Sequence, residues 1–166
     1  PVPLILTASS PWFPARNVLH HSNGGGWQWG QELLVSYQIG AYRAHPTSHC
    51  IDREKPIYAG FSRSLDGGLT WKDEPALYDI FLRPVLPVPK GGFDFSAEGF
   101  IVRMGVPSVT IRSDRFIVSH DKGHTWEGPY QLRGFDAHPL TMRTSYRVID
   151  AKTMLVFLSW QLPNAL

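Results

Sequence analysis

The chain has 166 residues, 43% of them hydrophobic and 13% aromatic, which is ample for one globular core and excludes a disordered chain. A formal net charge of +2, with Lys and Arg scattered singly, excludes the basic stripe that nucleic acid would require. The single cysteine, Cys50, excludes an internal disulfide, and no stretch approaches the roughly 18 apolar residues of a membrane span or has the form of a signal peptide.

Fifteen Gly and 14 Pro, with few helix-forming runs, predict an all-β chain of short strands joined by turns. In chain order, a strand near 16 to 22 precedes the apolar or alternating runs 31 to 39 (QELLVSYQI) and 57 to 64 (IYAGFSRS). The loop Gly40 to Pro56 between the last two is long for a connection inside a compact sheet, and long loops on a rigid scaffold tend to carry function. The stretch 75 to 92, with Pro75, Pro84, Pro87 and Pro89, reads as an irregular connector. Strands resume at 100 to 105, 108 to 111 and 115 to 120, and again at 141 to 149 and 154 to 160. The last of these, MLVFLSW, is so apolar that burial on both faces is expected.

One eight-residue phrase, S-x-D-x-G-x-T-W, occurs twice: Ser64, Asp66, Gly68, Thr70 and Trp71, then Ser119, Asp121, Gly123, Thr125 and Trp126. The copies start 119 − 64 = 55 positions apart. Asp that bonds nearby N–H groups, Gly free to take φ > 0, and a Thr-Trp pair suited to a strand together describe a hairpin tip, one for each sheet. Neither copy carries the spaced oxygen ligands of a calcium loop. The variable positions held by His120 and His124 are expected to face solvent.

This phrase resembles the Asp-box, or BNR repeat, of the sialidase superfamily. The resemblance implies a sialidase-like β-propeller, six-bladed in the family, of which about three blades are present: about 14–75, about 92–132, and a third beginning at about 139–166. It places the boxes on the rim, away from the active site. It also implies that the chain is a fragment of a larger ring, inactive alone, or self-associates if it is complete. The stretches Gly24 to Trp29, His49 to Asp52, Gly92 to Ser96 and Trp126 to Tyr130 look like uncharacterised bacterial sialidase-like propellers.

Sialidases grip a carboxylated sugar with arginine forks and use an Asp acid/base and a Tyr nucleophile assisted by a Glu. By position, the resemblance assigns Asp52 as the acid/base candidate and Arg16 and Arg43 as substrate-binding candidates. Arg16 departs from the pattern, being followed by Asn17-Val18 in place of Ile-Pro. Arg143 and Tyr146 offer a clamp and a nucleophile, but on a strand two blades too early. Glu98 stands where similar chains carry an acidic residue. Each has a plainer alternative, a solvated surface charge or, for Asp52 beside Arg53, an exposed ion pair. His45, His49 and Cys50 share one loop, but their spacing fits no standard zinc pattern, and neither metal nor cofactor is expected.

The function expected is an exo-acting glycosidase of a sialidase-like kind, or a non-catalytic propeller binding glycans or proteins. The expected partner is a glycan, not nucleic acid. Family resemblance implies a secreted or periplasmic location.

Overall fold

The computed structural model describes residues 17–20, 24–44, 50–105, 114–135 and 140–160. The chain is all-β, and its described residues form three antiparallel sheets in chain order. The first contains β1 (Asn17–His20), β2 (Gly26–Trp29), β3 (Glu32–Ala41), β4 (Ile57–Ser64) and β5 (Lys72–Leu77). β1 and β2 lie end to end along one side of β3, pairing with 38–41 and 32–35, so the sheet is four rows wide. A short helix, α1 (Asp79–Leu82), leads to the second sheet: β6 (Ile101–Met104), β7 (Arg115–Ser119) and β8 (Glu127–Gln131). The third is the hairpin of β9 (Leu140–Val148) and β10 (Met154–Trp160).

Side chains alternate across a strand, and the middle sheet uses both of its faces. Ile101 and Ile117 point into a cluster with Leu34, Ala59, Phe61 and Phe81 of the first unit, joined by Trp27 and Trp126. Val102, Met104 and Val118 point the other way, against Phe93, Phe100, Tyr130, Leu140 and Met142. Sheet two is therefore the filling between sheets one and three. Each fully buried Ile or Phe in these clusters contributes roughly 1.5–3 kcal/mol relative to exposure.

The strand expected to be buried on both faces is β10, and there the structure corrects the sequence reading. Met154, Val156 and Leu158 turn inward, while Leu155 and Phe157 are 51% and 57% exposed. Among the strands whose burial is fully described, β6 is the one buried at every position. Two smaller corrections concern turns. Thr70-Trp71 and Thr125-Trp126 precede their strands, because each Thr bonds back to its Asp and so belongs to the turn. The connector expected from residue 75 begins after Leu77, since Pro75 is tolerated within the outermost strand, β5. The strand expected at 108–111 lies outside the described residues.

Gly60 shows why one strand residue has no side chain. A Cβ there would overlap the ring of Tyr37 and the tip of Ile39 on the paired strand, at the irregularity in the β4–β5 register. The close approach lets the Tyr37 hydroxyl reach Ser62 Oγ at 2.8 Å, and burial raises that phenol to about 12.

Candidate functional site

The two copies of the phrase fold into the same turn. Asp66 Oδ1 accepts the Ser64 hydroxyl and the Thr70 N–H, both at 2.8 Å, and Oδ2 accepts the Thr70 hydroxyl at 2.6 Å. Asp121 repeats this with Ser119 and Thr125 at 2.8, 2.8 and 2.7 Å. In each copy the Gly N–H donates to the Ser oxygen at 2.8 Å. The Thr70 hydroxyl and N–H and the Ser64 hydroxyl hold the Asp66 carboxyl down at about 2. For Asp121 burial works upward, but the bonds from Thr125 and Ser119 outweigh it and the net direction is down. Both acids are consumed by the turn and hold no free proton near neutrality. His120 and His124 are exposed, as their positions suggested.

The second turn also bolts two sheets together. Trp126 lies 5.0 Å from the Phe61 ring and 6.2 Å from Trp27. Arg63, buried on β4, donates to Glu74 and Glu32 at 2.5 Å and to the Lys122 carbonyl at 3.0 Å. Desolvation works against its charge, but the two carboxylates outweigh it and raise its pKa. Lys122 Nζ in turn lies 3.8 Å from Glu32 and 5.8 Å from the Trp29 ring centre.

The loop after β3 carries the residues singled out for chemistry. A single bridge, Tyr42 to Ile51, extends the β3–β4 hairpin outward. Arg43 N–H donates to the Cys50 carbonyl at 3.2 Å, and Asp52 N–H to the Ala41 carbonyl at 2.8 Å. This brings Arg43 and Asp52 side by side although nine positions separate them. Asp52 Oδ1 accepts the Glu54 N–H at 3.1 Å and lies 3.5 Å from Arg43 Nη1, which also meets Glu54 at 3.1 Å. Hydrogen bonding and charge from Glu54, then from Asp52, raise the Arg43 pKa. Arg43 is 58% exposed and the Asp52 side chain 14%. A carboxylate held in a turn, with a guanidinium reaching into solvent beside it, can accept a ligand hydroxyl and hold a ligand anion.

The other sequence candidates go elsewhere. Tyr146 sits between sheets: its oxygen accepts the Trp27 Nε1–H at 2.8 Å and the Val102 N–H at 3.1 Å, and burial raises its pKa. Thr144 does the same for the Met104 N–H at 2.9 Å, so β9 satisfies the open edge of β6 with side-chain hydroxyls. Arg143 lies on the exposed face of β9 with Ser145 and Arg147. Glu98 is 86% exposed and pairs with Lys122 at 3.5 Å, which joins it to the second turn. Arg16, His45 and His49 lie outside the described residues. Among the described residues, no three His, Cys, Asp or Glu side chains gather as a metal site.

Two arrangements escaped the sequence reading. Arg103 is fully buried between sheets one and two, donating to Ser36 Oγ at 3.0 Å and to the Gly105 carbonyl at 2.8 Å, with its guanidinium 5.3 Å from the Phe81 ring centre. Burial lowers its pKa to about 10. Its signal was a charge within the apolar run FIVRMG. The Tyr130 hydroxyl donates to Glu127, which faces His120 at 3.8 Å, but the Tyr130 ring is buried among Phe93 and Phe116.

Among the described residues no helix is long and apolar enough to cross a membrane. Comparison with protein-family models, with curated proteins and with solved structures returned no match.

Proposed function

We propose that this chain is part of a sialidase-like β-propeller that acts as an exo-glycoside hydrolase on a terminal sugar, with Asp52 as its acid/base and Arg43 as a substrate-binding residue. The observation that carries this reading is the Arg43, Asp52 and Glu54 group in the loop between β3 and β4, beside the Tyr42–Ile51 bridge. It stands on sheets that bear two turns of Asp-box sequence with the same internal hydrogen bonds. The ligand is a glycan, the remaining sheets of the ring come from the rest of a longer chain or from self-association, and the location is secreted or periplasmic.

The test is hydrolysis of a panel of fluorogenic glycosides by the longest natural chain containing these residues, wild type against Asp52→Ala. Loss of an acid/base should lower kcat/KM by about 10²–10⁴ without changing the thermal melt. Equal activity in the two proteins would remove Asp52 from the mechanism.

A second reading, a non-catalytic propeller that binds glycans, is favoured by the state of the tyrosines. Tyr130 is buried and Tyr146 partly buried, its oxygen taken up by Trp27 and Val102; both have pKa values moved upward, mainly by desolvation, and are poor nucleophiles for that reason. Binding on a glycan array without hydrolysis of any array member would favour this reading over the enzyme.

A further inference from the structure

Between α1 and the second sheet the chain runs Arg83-Pro84-Val85-Leu86-Pro87-Val88-Pro89-Lys90. Proline locks its own φ near −65°, and the residue before a proline is pushed into the extended region. Six of the seven residues from Arg83 to Pro89 are a proline or precede one, so Val85 alone keeps ordinary freedom. Arg83 has φ −65° and ψ 159°, and residues 84–89 adopt no helix, strand or turn. Covalent chemistry therefore confines all of these residues but Val85 to extended conformations of the kind found in a left-handed polyproline helix, which has three residues to the turn.

The fold holds this helix in place while leaving its surface open. Arg115 Nη1 donates to the Phe81 carbonyl at 2.9 Å and reaches the Arg83 carbonyl at 3.5 Å, fixing the start. Leu86 N–H donates to the Pro129 carbonyl at 2.8 Å, tying the middle to β8, the terminal strand of its sheet. Gly92 N–H closes a turn onto the Pro89 carbonyl at 2.8 Å, and Lys152 Nζ clasps the Gly91 carbonyl at 2.9 Å, fixing the end. Val85 is half-buried, whereas every other residue from Arg83 to Lys90 is exposed. With a three-residue repeat, Arg83, Leu86 and Pro89 form one ridge and Pro84, Pro87 and Lys90 the next.

We propose that Arg83–Lys90 is a preformed docking ligand for a protein module that reads polyproline helices through an aromatic-lined groove with an acidic rim. Two neighbouring proline-bearing ridges fit the paired slots of such grooves, and the ordering entropy that a flexible peptide loses on binding is already spent by the fold. The charges select the rim: Arg83 begins one ridge and Lys90 ends the other, with no carboxylate between them. This site is separate from the Arg43–Asp52 loop and stands independently of the glycosidase reading.

The test titrates the purified chain into three probes, an SH3 domain, a WW domain and an EVH1 domain, each with its aromatic groove intact, followed by calorimetry. At least one probe should bind saturably. Pro84→Ala/Pro87→Ala should weaken that binding at least ~10-fold, as should Arg83→Glu/Lys90→Glu, whose prolines and fold constraints are untouched. Near-ultraviolet circular dichroism confirms that each variant is folded. Absence of saturable binding to all three probes, or binding unchanged by either double substitution in a folded protein, overturns the proposal.

Discussion

Asp66 and Asp121 spend both carboxylate oxygens inside their own turns, and this makes them sensitive to acid. Asp66 falls from an ordinary 3.8 to about 2 on folding. A depressed folded-state pKa contributes stability that is fully present above the unfolded value and is lost as pH falls through the folded one. The contribution of Asp66 therefore holds above about pH 4 and disappears between there and about pH 2. Asp66→Asn should lower the Tm by a few degrees at pH 7 and flatten the remaining decline between pH 4 and pH 2, measured by calorimetry across that range. This residue was readable in the sequence because its partners lie within four positions of it. Tyr146 was not: its hydrogen-bonding partners are 119 and 44 positions away, so its hydroxyl could be read as a nucleophile until folding assigned it to Trp27 and Val102.

At the scale of elements, period and composition located strands well, because a buried strand must present apolar side chains at every second position or at all of them. The runs 57–64 and 154–160 coincide with β4 and β10. Which strand would be covered on both faces was a different matter. MLVFLSW is more apolar than IVRM, yet β6 is the one enclosed, because it belongs to the sheet with a neighbour on either side. β2 went unread, since Gly26 and two tryptophans on a four-residue strand carry little periodicity. Gly60 is the element-scale constraint most open to test. Gly60→Ala places a methyl group against the Tyr37 ring and Ile39, and should cost about 1–3 kcal/mol in urea denaturation, the usual cost of overpacking. A neutral result would mean that β4 can slide away from β3 at this point.

The whole molecule depends on contacts that cross from one sheet to the next. Arg63 joins β4 to the second turn through the Lys122 carbonyl while neutralising Glu32 and Glu74 around it. Arg63→Ala leaves two carboxylates crowded at a half-covered seam and should cost about 3 kcal/mol, toward the lower end for broken buried pairs. Replacing Arg63, Glu32 and Glu74 together by Met should recover most of that loss, since apolar groups of similar volume commonly substitute for a buried ion cluster. Chemical denaturation of the two variants checks both statements, and a triple variant no better than the single one would show that the seam needs its charges. The sequence by itself determined the all-β class, most of the strand positions and the two Asp-centred turns, because each follows from bonds or steric limits within a few residues. Only the tertiary structure decided that Tyr146, Arg103 and Arg63 serve the joints between sheets and that Arg43 stands beside Asp52. Those outcomes depend on which surfaces meet, and a side chain carries no local record of the partner that will cover it.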